Sequence, residues 1–515
     1  MPLYHLFVVY LIGTLIVWLP SFGLAKLFTK AGAASWKAYI PFYNTWVIQE
    51  ITGRPKHWVF WQFIPVVGWF ITPGILIEFA KVFGRFSFWD HAAASIAGVF
   101  YFPYLAYKVD PNFIGPKGVH MHHKAGWREW VDAGVFAVVA ATLIRTFIFE
   151  AYTIPSPSME KSLLVRDFLF VSKLSYGPRI PNTPLSIPFV HNYIPGTHMK
   201  SYSELVKIPY IRWFASPVKR GDAVVFNFPA GDTVINADGF QSAQPYYDIK
   251  RYAENNYQKA QEILNDKENY PLAVHPVDKT DNYIKRCVGI AGDTIEVRND
   301  IAWVNGVMQA LPPDAELNYL VTVNTPSLDQ DIMKDEYNCD YDKGEYSPST
   351  QPGVYRMLLT TKAKEKMISN GLAKSITVDT LFQDGDTRDD VFPYDNVASH
   401  IGWNRDQFGP VWVPKKGIAL TLTAENYSIY ERAIRIYEGN SFVMQNGKFI
   451  LNGKEVTSYT FKMDYYWMMG DNRQGSQDSR YWGFVPEDHI VGKAGMIWFS
   501  WDGGPRWKRL FRIVK

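Results

Sequence analysis

Four apolar stretches, residues 6–25, 58–77, 91–107 and 133–149, crowd the first 150 residues of this chain, and the remainder is polar and rich in turns. A bilayer core takes roughly 20 apolar residues per helix. The first two stretches are uncharged and of that length. The third is slightly short but rich in Ala, Phe and Tyr, and the fourth carries only Arg145, near an end where its side chain can snorkel. A buried core helix or an interfacial segment is the competing reading of each stretch. Four transmembrane helices are expected.

Basic residues orient these helices. Lys26, Lys30, Lys37, Arg54 and Lys56 fill the first loop and Lys108, Lys117, Lys124 and Arg128 the third, whereas the second holds only Lys81 and Arg85. The positive-inside rule makes the first and third loops cytoplasmic and puts everything after about residue 150 outside. No Lys or Arg precedes the first apolar core, so it is expected to be retained rather than removed as a signal peptide. Glu50 and Glu78 are the acids to watch in this region, and interfacial placement is the simpler account of both. The 53 basic and 50 acidic residues nearly balance, so the charge gives no preference for nucleic acid. Cys287 and Cys339 show no zinc-ligand spacing; they form one bridge in an oxidising compartment or stay as two buried thiols.

Beyond Thr153, short β-rich runs at 223–228, 283–288 and 295–297 alternate with Gly, Pro, Asn and Asp turns, which predicts a mostly β body. A surface helix is expected around 252–265. The stretch from about 298 to 459 is too long for one structureless loop and is expected to be an inserted β-rich subdomain.

Three segments carry candidate chemistry. Ile154-Pro155-Ser156-Pro157-Ser158-Met159 places two hydroxyls within about ten residues of the last apolar stretch. A serine beside prolines is ordinarily a turn residue, and it attacks an amide only when a base takes its proton. That base can be His, a terminal amine, or a Lys made neutral by desolvation. In Asp281-Asn282-Tyr283-Ile284-Lys285-Arg286-Cys287-Val288-Gly289, period two puts Tyr283, Lys285 and Cys287 on one face and Ile284, Arg286 and Val288 on the other. Such a lysine is ordinarily solvated. The third segment, Gly470-Asp471-Asn472-Arg473-Gln474-Gly475-Ser476-Gln477-Asp478-Ser479-Arg480-Tyr481-Trp482-Gly483, packs carboxylates and arginines into one loop that can hold buried ion pairs.

In order, these segments resemble the type I signal peptidase family, whose motifs are a membrane span, P-S-x-S-M, R-G-D before a strand, Y-I-K-R-x-V-G-x-x-G-D, and G-D-N-R-x-x-S-x-D-S-R-Y-W-G. They read here as Pro155 to Met159, Arg220 to Asp222, Tyr283 to Asp293, and Gly470 to Gly483. The resemblance implies a Ser/Lys protease that removes signal peptides after small residues of Ala-x-Ala type. It makes Ser158 the nucleophile and Lys285 the general base, with the Ser156 hydroxyl and the Ser158 N–H as the oxyanion hole. Ser476 would orient the lysine, and Arg286, Asp471, Asp478 and Arg480 would form the supporting charge network. Ile154 and Ile284 would line the pockets for the two small side chains. Alternation puts Ile284 opposite Lys285, so its pocket role comes from the resemblance alone. The chain departs from the family pattern at Pro157, at Glu160-Lys161-Ser162 where many members have x-Pro-Thr, at Gln474-Gly475 and at Ile290-Ala291.

The expected organisation is a membrane region at 1–129, a further span at 130–150, catalytic β domain at 151–297 and 461–515, and the insertion at 298–460. Expected partners are preprotein signal peptides and the lipid bilayer, with the secretion machinery a further candidate, and neither nucleic acid, metal nor cofactor. The expected location is the bacterial inner membrane with the catalytic domain on the periplasmic side. A Ser/His/Asp hydrolase is disfavoured because no G-x-S-x-G elbow occurs and His489, the nearest histidine to the last motif, reads as a surface residue. Self-cleaving repressors share the Ser/Lys pair but lack the membrane spans. A non-catalytic scaffold is disfavoured by the presence of both Ser158 and Lys285, and a separate transport or assembly task for the first three spans stays open.

Overall fold

Several of the apolar stretches in the N-terminal region are divided into shorter helices. In a computed structural model of the chain, residues 3–64, 67–122, 126–197, 199–231, 233–237, 239–254, 256–325, 327–386, 388, 390–393 and 401–514 are described. Residues 65 and 66 of the second expected span and Lys124 of the third loop lie outside them. The chain forms two units, one comprising Met1–Arg145, Pro184–Phe189 and Ser203–Arg212, the other Thr146–Thr183, Val190–Tyr202 and Trp213–Lys515.

In the first unit, the stretch 6–25 is two helices, Leu3–Trp18 and Ser21–Lys30, with Pro20 beginning the second, where its missing N–H costs nothing. The stretch 58–77 contains a single turn, Trp58–Trp61, and then Val67–Lys81, which has Pro73 inside it. The stretch 91–107 divides at Ala97 into Phe88–Ile96 and Gly98–Tyr104. Of the four continuous spans expected, one is found: among the described residues, only Glu129–Phe147, within the helix Gly126–Phe147, is long and apolar enough to cross a membrane. The shorter helices bury Leu24, Phe28, Phe79 and Phe102 against one another. Glu78 pairs with Arg54 at 2.8 Å and Lys81 at 2.6 Å, and Glu50 with Lys56 at 2.7 Å.

The second unit is built on an eight-stranded sheet. Its strands are β1 (Phe149–Thr153), β2 (Asp167–Ser172), β3 (Ala223–Asn227), β4 (Asn282–Gly289), β5 (Tyr465–Met469), β6 (Val485–Pro486), β7 (Ile490–Ser500) and β8 (Arg512–Ile513). The order is β1-β2-β7-β3-β4-β5-β6, with β8 on β7. Both faces are covered, which is why β3 and β5 read as apolar runs rather than as alternation. Val224, Phe226, Cys287 and Met468 enter one core and Leu169, Val171, Val225 and Ala494 the other.

Between β4 and β5 lie a four-stranded sheet ordered Tyr346–Pro348, Val354–Thr360, Glu316–Val323, Ala373–Val378 and a second one formed by Gln407–Trp412, Thr294–Arg298, Ile301–Val304 and Val307–Met308. Helices Gln330–Tyr337 and Thr361–Ser369 pack on the first sheet, so this stretch mixes helix with strand. The helix expected around 252–265 is two, Tyr246–Glu254 and Gln258–Asn265. Cys287 and Cys339 are both free and buried, and burial raises both thiols' pKa.

Candidate active site

Ser158 sits in a short turn, Pro157–Met159, that follows β1. Pro157 sets the first φ of the turn, and Met159 anchors it in the core with no exposed surface. The Asn472 N–H donates to the Ser158 carbonyl at 3.2 Å, so the 470–478 loop holds the Ser158 segment by its backbone. Gly470 has no side chain for a steric reason: a Cβ there would lie 2.5 Å from the Ser158 carbonyl oxygen and 2.2 Å from Ser476 Oγ.

Lys285, in β4, donates from Nζ to Ser158 Oγ at 2.6 Å across 127 residues of sequence. Both side chains are buried, at 3 % and 7 % exposure. Burial lowers the Lys285 pKa to about 8, while Asp478 and Asp471 act in the opposite direction. A neutral amine at this distance can take the hydroxyl proton along the existing hydrogen bond. Ser156 Oγ lies 3.4 Å from Ser158 Oγ. If Lys285 is the group that takes this proton, the rate is expected to rise with pH through about 8, because below that value the amine is protonated and cannot accept. A pH–kcat/KM profile checks this, and a rate already flat from pH 6 upward would contradict it.

A layer of buried charge lies behind the pair. Arg286 grips Asp471 with Nε at 3.0 Å and with Nη2, and gives Nη1 to the Gly221 carbonyl at 2.7 Å. Arg480, with no exposed surface, donates Nε and Nη2 to Asp478, each at 2.9 Å, and Nη1 to Asp300 at 3.1 Å. Burial opposes ionisation of Asp478, yet Arg480 outweighs it and holds the carboxyl below its ordinary range. Asp300 is raised to about 6 by burial, with Arg480 pulling the other way. Arg220 pairs with Asp293 through Nε at 2.8 Å, which ties the two turn motifs together.

Ser476 is buried and, with the Ser158 carbonyl, crowds Gly470, but the bond to Lys285 expected of it is not formed; its hydroxyl has no hydrogen-bond partner among the described residues. His489, expected at the surface, is buried and bonds Asp488 at 2.6 Å because it packs against Tyr437. It does not line the cleft that holds Ser158.

That cleft, about 530 Å³, is bounded by residues 152–156 and 281–285 together with Ser158, Met159 and Ser242. Ile154 and Ile284 both line it. Lys285 and Ile284 can share a cleft despite their alternation because the site lies at an edge of β4 rather than on one face. β5 pairs with β4 only from Arg286 onward, leaving residues 282–285 open on that side. Asp281 and Cys287 hydrogen-bond toward β3, so the alternation of an antiparallel ladder turns the N–H and C=O groups of Asn282 and Ile284 to the open side. β1 ends the sheet and offers a second open edge.

The sequence reading did not single out Asn472, Arg473 or Asp300. The first two stand inside the conspicuous Gly470 to Gly483 loop. Arg473 is buried, donates to the Gly470 carbonyl at 3.1 Å, and is lowered to about 10 by burial and then by Arg480. Asp300 lies in an ordinary Asn-Asp turn with no local signal. Among the described residues no group of three or more His, Cys, Asp or Glu is placed to hold a metal ion.

Comparison with known proteins gives these features a class. The family model described as signal peptidase, peptidase S26, matches residues 127–390 and 419–501, more than half of the chain, and the chain belongs to that family. It is a hydrolase of the serine peptidase type. The signal peptidase I of Haemophilus influenzae is 26% identical over 392 residues, covering 74% of this chain and 75% of that protein. The signal peptidase I of Buchnera aphidicola subsp. Acyrthosiphon pisum is 24% identical over 364 residues (71% and 72%), and that of Aquifex aeolicus 24% over 369 (71% and 82%). Residues 36–116 match a family of unknown function, DUF5684.

Proposed function

We propose that this chain removes signal peptides from exported preproteins by hydrolysing one peptide bond through an acyl-enzyme on Ser158. The observation that carries the reading is the 2.6 Å contact between a buried lysine amine and a buried serine hydroxyl, set in a cleft with open strand edges. Ser158 Oγ attacks the scissile carbonyl as its proton passes to the neutral Lys285 amine. The Ser156 hydroxyl and the Ser158 N–H stabilise the oxyanion. The resulting ammonium protonates the leaving amine. Lys285, neutral again, then takes a proton from the water that attacks the acyl-serine and returns it to Ser158 Oγ as the acyl–oxygen bond breaks, releasing the new C-terminal carboxyl and restoring the serine and the neutral amine.

Ser476 enters as the hydroxyl that orients the lysine. A buried hydroxyl without a partner costs about 1–3 kcal/mol, and bonding to Lys285 would remove that cost. Arg286, Asp471, Asp478 and Arg480 hold the loop and bias the lysine. The substrate adds as an extended strand against Ile284 and β1, so main-chain pairing supplies affinity, and small pockets at Ile154 and Ile284 select an Ala-x-Ala pattern. Residues 151–297 and 461–515 form the catalytic body, 298–460 the insertion.

The catalytic body belongs outside the bacterial inner membrane, anchored by Glu129–Phe147, next to substrates whose apolar segments stay in the bilayer. The N-terminal region, with its broken helices, adds further passes, and the secretion machinery is a candidate neighbour. The test is incubation of detergent-solubilised protein with a membrane-inserted preprotein and mass measurement of the product. Cleavage after a small residue supports the reading, and inactivity on several preproteins defeats it. For the topology, a membrane-impermeant thiol reagent applied outside should label Arg85→Cys and not Lys37→Cys; labelling of both, or of neither, defeats the four-pass arrangement.

A further inference from the structure

The turn that carries Ser158 is followed at once by Lys161, whose φ of 63° lies in the left-handed region, uncommon for a residue with a side chain and closed to proline. Its side chain is 8 % exposed, and Nζ reaches Glu345 at 2.5 Å and the Asn338 carbonyl at 3.1 Å. Glu345 is itself held, accepting from the Asp340 N–H at 2.8 Å. It immediately precedes Tyr346–Pro348, the outer strand of the four-stranded sheet inserted between β4 and β5.

The same sheet reaches the nucleophile by a second route. Glu316, the first residue of the strand Glu316–Val323, donates its N–H to the Asp471 carbonyl at 2.9 Å and accepts from the Arg473 N–H at 3.3 Å. It thereby forms a bridge with Asn472, whose N–H holds the Ser158 carbonyl. The Glu316 carboxyl, buried and without a hydrogen-bond partner among the described residues, is raised to about 8 by burial, so near neutral pH it adds little charge to compete with Glu345 for Lys161.

We propose that the inserted sheet positions the nucleophile, with Lys161 as the positioning residue: the Lys161–Glu345 pair fixes the Pro157–Met159 turn from its C-terminal side while Glu316 fixes the loop that holds the Ser158 carbonyl. The inference rests on Ser158 being the nucleophile. A small displacement of a reacting atom is enough to cost about 10²-fold in rate, so two tethers on the segments flanking Ser158 act on the chemical step rather than on binding.

The experiment compares the full chain in detergent with Lys161→Met/Glu345→Gln, which removes both buried charges together so that neither is stranded. Cleavage of a membrane-inserted preprotein should fall in kcat by about 10–100-fold with KM changed less than about twofold. Lys161→Arg should retain most of the activity. An unchanged kcat, or a loss confined to KM, overturns the proposal. Should the double variant fail to fold, Glu345→Asp keeps the charge and shortens its reach: a lower kcat at unchanged Tm supports the proposal, and an unchanged kcat overturns it. An inactive wild type would overturn instead the reading of Ser158 on which it rests.

Discussion

Replacement of Ser158 by alanine is expected to lower kcat at least about 10³-fold, and Lys285→Met to do the same, because the proposed nucleophile and the proposed base would act as one unit. Each removes one end of the 2.6 Å contact, and the double variant should be little worse than either single one. Ser156→Ala should cost less, about 10²-fold, since it would remove one proposed oxyanion donor and leave the attack intact. Methionine is the informative replacement for Lys285. It keeps an unbranched apolar stem in a site only 3 % exposed and removes an amine whose charged form burial already disfavours, so the fold should survive. The measurement is single-turnover cleavage of a membrane-inserted preprotein alongside circular dichroism. Full activity in Lys285→Met would mean that another group takes the proton.

Arg480→Met is expected to unfold the catalytic unit more easily by about 3–5 kcal/mol, the cost typical of breaking a buried ion pair from one side. Arg480 is fully enclosed and joins Asp478 to Asp300, 180 residues away in sequence. Its loss strands both carboxylates. Asp478 loses the partner that keeps it ionised, and the Gly470 N–H that it accepts at 3.1 Å loses its anchor, so the loop holding the Ser158 carbonyl slackens. Thermal unfolding followed by near-UV circular dichroism should show a midpoint lower by roughly 10 °C. The destabilisation should be worse at neutral pH than at pH 5, because protonation of a stranded carboxyl relieves its cost. A midpoint unchanged within about 2 °C would mean that the network contributes little to the fold.

Much of this was legible in neighbouring residues. The two hydroxyls flanking Pro157, the strand around Lys285 and the charged loop from Gly470 to Gly483 announce themselves by composition and spacing, and they do converge on one cleft. Other features were not legible, for identifiable reasons. Apolar length alone predicted four continuous spans, but Pro20 and the kink at Ala97 divide two of these stretches into helices too short to count by themselves, and packing around Phe79 takes up part of their apolar surface. Alternation put Ile284 and Lys285 on opposite faces, correctly, yet the cleft opens at the strand edge where both can line it. Asp300 gave no signal because its partners, Arg480, Gln474 and Arg473, all lie far away in sequence.

Turn chemistry, strand period and the length of an apolar run depend on residues adjacent in the chain, so they can be read before any fold is known. The contact between Lys285 and Ser158 and the hold of the inserted sheet on Lys161 depend on groups brought together across 127 and 184 residues, and the lowered pKa of Lys285 depends on its burial. Burial and Coulomb energy depend on distance through space and on exclusion of water, which exist only once the sheet has closed around the site.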